Sequence, residues 1–439
     1  MRIVVKASIL FVLLLVISCT KPAERNIGGK IRTGNVIFIH PDGCGLATWN
    51  ALRILDKGPD NNLNWDKLSH MALYRSHIKN TLSTSSNAGA VAHAYGVKTN
   101  YDSYGQEDGG QIVALSGESM PLGLEAIEKG IAVGIINSGE LVEPGTGVFV
   151  AASSSRKNDD DIAKKIIQSG CDLMFFGGEN QLLPEGTEGR FTSSGTRKDG
   201  INLIKWATEN GYKVIYNKTE LENIEKLGTK VLGVFGSSST FNDKPEEELQ
   251  ELKLENYNPE APTVAEMTAA ALKYFKAIGK QFLLVVEEEG TDNFSNKNNA
   301  SGVLEALRRS DAAIAETNNF IEHNPNTMLI VGSDSEAGGM EIVGFTEEML
   351  RKQDKPLQND PNGAPWDGPN GQDGKPFYSA PDKSGKSFPF FLAWSSLYDT
   401  YGSVVFKASG LNSDRLKGNI DNTDIYRLMY YTLFGRELL

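Results

Sequence analysis

"FLLVVEEEGTDN" (282–293) starts as an unbroken apolar, partly β-branched run and ends in three glutamates and an aspartate. A short run of this kind, bounded by glycine, reads as a strand buried on both faces. Two other stretches have the same shape, "NVIFIHPDGCG" (35–45) and "TMLIVGSDSEAGG" (327–339). Further apolar runs lie at 131–136, 173–176, 231–235 and 404–406. Between several of them come segments with helical spacing, "LGLEAIEKG" (122–130), "DDIAKKIIQSG" (160–170), "INLIKWATENG" (201–211) and "TVAEMTAAALKYFKAIG" (263–279). Continuous strands alternating with amphipathic helices predict an α/β fold, with a mostly parallel central sheet covered by helices on both faces.

The chain has 439 residues, 40 % of them hydrophobic, enough for one large domain over 35–439. A formal charge of −12 works against binding a phosphate backbone, so nucleic acid is not an expected partner. "MRIVVKASILFVLLLVISC" (1–19) has a basic start at Arg2 and Lys6 and an apolar stretch too short for an ordinary spanning helix. It reads as a secretory signal, and "VISC" is similar to the bacterial lipoprotein cleavage box. Cys19 is then the lipidated first residue, 20–34 a tether, and the rest an extracytoplasmic domain facing the periplasm or cell exterior from a bacterial membrane. Export permits a disulfide between Cys44 and Cys171, and two buried free thiols are an equal alternative.

The stretch 177–200 reads as a loop excursion and 242–262 as an acidic surface helix with a connector. The segment 353–389, dense in Pro, Gly, Asp and Asn, reads as an irregular insertion, functional or a small subdomain of its own. Its "DGPNGQDG" lacks the ligand offsets of a calcium loop.

In open parallel sheets ligands bind beyond the carboxyl ends of the strands. Asp42, Glu287, Asp292 and Asp334 all sit at such ends. Any one of them alone reads as a helix cap or turn residue. Four carboxylates brought together repel one another and are costly to desolvate unless a cation holds them, so the repeated pattern predicts a metal site. In "TLSTSSNAGAVAHAYGVKTN" (81–100), Ser85, Ser86 and Asn87 are natural caps for an alanine-rich helix, whose N-terminus favours an anion.

"PDGCG", "SSNAGAVAHAYGVKTN", "VVEEEGTD" and "GSDSEAGG", in that order, resemble the alkaline phosphatase family over roughly 35 to 435. The family's D-G-x-G matches "DGCG" at 42–45, and its nucleophile segment ending in G-V-K-T matches "SSNAGAVAHAYGVKT". The resemblance implies that Ser86 is the nucleophile, with Ser85 in place of the usual aspartate, and that Arg156 clamps phosphate. It also places the family's late tyrosine-rich segment at 422–429, and implies a small phosphate-ester substrate and a homodimer.

The family's two zinc ions and one magnesium are completed by three histidines that this chain lacks. Asn296 stands four residues after Asp292, Ser335 follows Asp334, and the last register falls on Tyr398, with Asp399 beside it. Of five histidines, His70, His77 and His323 do not map to the site; His40 flanks Asp42 and His93 lies two helical turns past Ser86, within reach of it, but both are expected to be packing residues. The remaining ligands, Asp42, Ser86, Glu287, Asp292 and Asp334, offer oxygen alone, with Asn296 and Ser335 as weak additions and Glu143 or Thr146 as substitutes. Oxygen cages suit magnesium, manganese or calcium better than zinc. The expected function is a metal-dependent phosphomonoester hydrolase. The alternatives are a surface binding protein that has kept the fold without the catalysis, or a phosphodiesterase or sulfatase on the related metal-hydrolase fold.

Overall fold

The computed structural model describes residues 33–352 and 356–439; the leader, Cys19 and nearly all of the expected tether lie outside them. The three acid-tipped stretches become neighbouring strands in the middle of a ten-stranded sheet. In chain order its strands are β1 (Asn35–Pro41), β2 (His70–Arg75), β3 (Ala132–Asn137), β4 (Leu173–Phe176) and β5 (Tyr212–Ile215). Then come β6 (Lys230–Val234), β7 (Phe282–Glu288), β8 (Thr327–Val331), β9 (Val405–Gly410) and β10 (Gly418–Asp421). They lie side by side in the order β10-β2-β9-β8-β1-β7-β3-β4-β6-β5. Within this sheet β9 alone runs against the rest, pairing antiparallel with β8 and β2, so the expected mostly parallel sheet is observed.

Alternating side chains split between two cores, because successive residues of a strand face opposite sides. Val36, Phe38, Leu283, Val285, Met328 and Ile330 pack on one face, and Ile37, Ile39, Leu284, Val286, Leu329 and Val331 on the other. Val36 to Ile39 are each at most 1 % exposed, and such burial contributes on the order of 2 kcal/mol per side chain. The helices needed to place the site are α1 (Leu46–Lys57), α2 (Ser86–Tyr95), α3 (Pro144–Gly147) and α4 (Val264–Ile278), followed by α5 (Gly290–Ser295), α6 (Ala300–His323) and α7 (Thr423–Phe434). Helices α2 and α7 cover the first face, through Ala90, Val91, Ile425 and Met429. The second is covered by α1, α4 and α6, through Trp49, Leu52, Met267, Phe275, Val303 and Leu307. Local signals agree with these bounds: Thr263 and Glu266 form a reciprocal capping box at the start of α4, and Gly279 closes it in the left-handed region.

The irregular insertion builds a small antiparallel sheet. Its short strands Trp366–Asp367 and Phe377–Tyr378 both pair with Pro389–Trp394, which also pairs with Met340–Gly344. Cys44 and Cys171 are free buried thiols in the cores on opposite faces of the sheet, which settles that alternative against a disulfide. No helix among the described residues is long and apolar enough to cross a membrane.

Candidate functional site

Strand register levels the acid-bearing ends. His40 of β1 lies opposite Glu287 of β7, Asn137 of β3 lies opposite the same Glu287, and Ile39 lies opposite Val331 of β8. Asp42 follows β1, and its N–H extends the ladder to the Glu288 carbonyl at 3.2 Å. Asp292 comes from α5, directly after β7, and Asp334 from the turn after β8. All four predicted acids are buried. The carboxyl groups of Asp42 and Asp334 lie close enough to repel each other, and so do those of Asp292 and Asp399.

The hydrogen bonds present leave much of this oxygen unused. Glu287 Oε2 accepts from Asn137 Nδ2 at 2.5 Å, and Asp42 Oδ1 accepts from the Gly43 N–H at 2.8 Å. Asp42 Oδ2, Glu287 Oε1, Glu289 Oε2, Asn296 Oδ1 and both oxygens of Asp334 are buried with no hydrogen-bond partner among the described residues. Each orphaned polar atom costs about 1–3 kcal/mol, so the cluster demands a ligand that accepts many oxygens at once.

Two glycines make the crowding possible. A Cβ on Gly89 of α2 would lie 2.2 Å from Asp334 Oδ2, and one on Gly145 of α3 would lie 1.7 Å from Glu287 Oε1. Both helices therefore press bare backbone against the carboxylates.

Ser86 is the first residue of α2, one turn before Gly89, and is partly exposed. Three residues of helix rise about 4.5 Å, so Ser86 stands one turn along α2 from the Gly89–Asp334 contact. Its neighbour Ser85 caps the helix, accepting from the Ala88 N–H at 3.3 Å and donating to the Tyr101 carbonyl. Arg156 is half-exposed at the rim, with Nη2 3.4 Å from Glu143 Oε2, and it also faces the charges of Glu289 and Asp292. Of the two substitutes considered, Thr146 Oγ1 accepts from Asn137 Nδ2 at 3.1 Å, the same amide that donates to Glu287, whereas Glu143 is turned to Arg156.

The electrostatics follow from burial and mutual repulsion. Burial, with the neighbouring acids, pushes Glu287, Glu289, Asp292 and Asp334 well above the usual carboxylate range. Burial also raises Glu143, to about 7, against the lowering pull of Arg156. At Asp42 burial pulls upward too, but the charge and hydrogen bond of His40, with the Gly43 N–H, bring it down to about 2. Without a cation the cluster thus keeps Asp42 ionised and shares protons among its neighbours.

Several functional positions differ from expectation. Glu289 is 4 % exposed and brings a carboxylate oxygen within 4.8 Å of those of Asp42 and Asp292. At the last histidine register Tyr398 is 79 % exposed and points away, while Asp399 enters the site. Asn296 Nδ2 bridges Asp292 Oδ2 at 3.0 Å and Asp399 Oδ1 at 3.2 Å. Ser335 is buried beside Asp334, its N–H 3.4 Å from Ser333 Oγ. His93 packs as expected, its Nε2 2.8 Å from the Tyr74 hydroxyl. His40 does not merely pack: its Nε2 lies 3.2 Å from Asp42 Oδ1. The signal for His40 was present in the period of a strand, since it stands two residues from Asp42, whereas Glu289 lies past the end of β7 at the start of α5.

A family model described as alkaline phosphatase matches residues 33–364. The chain is 25 % identical over 343 residues to an alkaline phosphatase of Gadus morhua, covering 70 % of this chain and 69 % of that one. The matches span between 55 % and 69 % of the length of such relatives. Among solved structures it is similar to the alkaline phosphatase of the Antarctic bacterium TAB5, with a TM-score of 0.69 and 19 % identity, over 92 % of this chain and 99 % of that one. A histidine-to-glutamate variant of that enzyme, similar at a TM-score of 0.67 and 18 % identity over the same shares, holds Mg in its M3 site.

Proposed function

The chain belongs to the alkaline phosphatase family, and from that premise we propose that it is a metal-dependent hydrolase of small phosphate monoesters, working through a phosphoserine on Ser86. The observation that carries this reading is the set of buried, partnerless carboxylate oxygens gathered at the carboxyl ends of β8, β1 and β7, one helical turn from Ser86.

The donor set fits a hard divalent ion. Asp42, Glu287, Asp292 and Asp334 would hold it, with Asn137, itself bonded to Thr146, steadying Glu287. The three zinc histidines are absent, so magnesium, manganese or calcium suits these residues better than zinc. A histidine-to-glutamate variant of the Antarctic enzyme holding Mg in its M3 site is in keeping with this preference. Bound there, such an ion supplies Lewis-acid charge that favours ionisation of a nearby hydroxyl and neutralises the phosphate.

The protein's own groups do the rest. Ser86 Oγ releases its proton to solvent and attacks phosphorus in line with the departing ester oxygen, which takes up a proton from solvent as its bond to phosphorus breaks and the phosphoserine forms. Its place at the N-terminus of α2 aims free N–H groups at the added negative charge. Arg156 is available to grip two non-bridging oxygens, because its exposed pairing with Glu143 is worth at most about 1 kcal/mol. Water then attacks the phosphoserine, releasing phosphate and restoring Ser86. Export through residues 1–19 and lipid anchoring at Cys19 belong to the same proposal, since a surface phosphatase meets esters outside the cell.

The test is rapid acid quench of Mn-loaded protein with p-nitrophenyl phosphate, followed by peptide mass spectrometry. One added phosphoryl group on the peptide containing Ser86, absent in Ser86→Ala and without metal, is expected. Turnover with no modification of that serine would remove the phosphoserine from the account.

A further inference from the structure

His40 carries the strongest observation that the proposed function leaves unused. It is 2 % exposed at the end of β1, and its Nδ1 lies 2.9 Å from the Gly332 carbonyl oxygen. A carbonyl only accepts, so Nδ1 carries a proton there, and in the neutral ring Nε2 is then a bare lone pair. That lone pair faces Asp42 Oδ1, itself an acceptor, at 3.2 Å. Two acceptors at this separation need a cation between or beside them.

A proton satisfies only this one pair. It leaves Asp42 Oδ2 and Glu287 Oε1 buried without partners, although donor atoms of His40, Asp42 and Glu287 all lie within 4.8 Å of one another. A divalent ion satisfies all of them together. Adjacent donors of an octahedral ion with bonds of about 2.1–2.2 Å are about 3 Å apart, which matches the His40–Asp42 spacing. The bond from Nδ1 to a backbone carbonyl is the outer support that metal-bound imidazoles use to fix their tautomer. Gly145 leaves the third corner open, since any side chain there would strike Glu287 Oε1.

We propose that His40 Nε2 is itself a metal ligand, and that with Asp42 and Glu287 it makes one seat of the centre a mixed nitrogen and oxygen site selective for manganese or iron(II) over magnesium and calcium. One imidazole beside carboxylates shifts preference toward ions that accept nitrogen, along the order Mn < Fe < Co for a given site. The proposal rests on the metal-dependent reading above but concerns binding alone, and so stands or falls separately from the chemistry at Ser86.

The experiment is pulsed EPR on the full exported domain loaded with one equivalent of Mn(II), prepared with natural-abundance and with 15N-labelled histidine. Nitrogen-14 modulation that changes to the 15N pattern on labelling is expected, and His40→Gln should abolish it. In the same variant the Mn-over-Mg affinity ratio should fall about tenfold or more. Bound Mn(II) with no histidine nitrogen coupling in the wild type overturns the proposal, even if phosphoserine still forms at Ser86. Coupling that survives in a folded His40→Gln variant overturns it too, as does failure of the wild type to bind Mn(II). Should that variant not fold, the labelling comparison on the wild type decides the matter unaided.

Discussion

Replacing Gly89 with alanine separates the stability of the fold from the integrity of the site. Position 89 lies inside α2, where alanine is favoured over glycine by about 1 kcal/mol, so propensity alone predicts a more stable helix. The added Cβ would sit 2.2 Å from Asp334 Oδ2 and 2.5 Å from Asp334 Cβ, whereas ordinary contact begins at 3.4 Å. Clearing it moves the Asp334 carboxylate by about 1.2 Å, and a misplacement near 1 Å in a catalytic constellation costs about 100-fold, or roughly 2.7 kcal/mol of barrier. In chelator the clash with the buried Asp334 Cβ sets an overpacking cost of about 1–3 kcal/mol against the helix gain, so the melting temperature should stay level or fall by a few degrees. With manganese, kcat/KM for p-nitrophenyl phosphate should fall at least 100-fold, and the stabilisation produced by the ion should shrink. Activity within fivefold of wild type would show that Asp334 has slack at this point, or that it does not serve the site.

Other predictions follow from the same geometry. Arg156→Ala should raise KM about tenfold or more and leave the metal-induced rise in melting temperature unchanged, read by steady-state kinetics and differential scanning fluorimetry. Asp399→Asn should weaken metal binding while retaining the bridge from Asn296, and equilibrium dialysis against Mn(II) measures it. The stability of the metal-free protein should fall as pH rises from about 4.5 to 7. Over that window Glu143, raised in the fold from 4.5 to about 7, still holds a proton that the unfolded chain has released. Glu287, Glu289, Asp292 and Asp334 act in the same direction, and excess manganese at pH 8 should restore the loss in a thermal melt. A flat profile in chelator would show that the cluster is relaxed without its ion.

The centre of the sheet was legible because β1, β7 and β8 are buried on both faces and therefore continuously apolar. Strands β2 and β10 were not, since "HMALYR" and "GNID" sit toward one edge and keep polar or exposed positions among few buried ones. The 24-residue α6 carries its apolar stripe diluted by Glu305, Arg308, Arg309 and Asp311, and is evident only against the face it covers. At the site, Asp42, Glu287, Asp292 and Asp334 could be named because each ends a strand or begins the turn after it. Asp399 was legible only as the neighbour of the Tyr398 register, for it lies 65 residues beyond Asp334 in a short strand, Asp399–Thr400, paired with Glu336–Ala337. Only that pairing carries it back to Asp292. His40 was read as packing because its type suits an interior, and it is the register with Glu287 and the carbonyl of Gly332 that turn its Nε2 toward Asp42.

The most direct test of the account is where a metal goes. Crystals grown with Mn(II) and measured at the manganese absorption edge should show an anomalous peak enclosed by Asp42, Glu287 and Asp334, within bonding distance of their now partnerless oxygens and next to Ser86. A clean map with no peak there, or full occupancy at some other cluster of acids, would contradict the claim that these strand ends form a cation-binding centre.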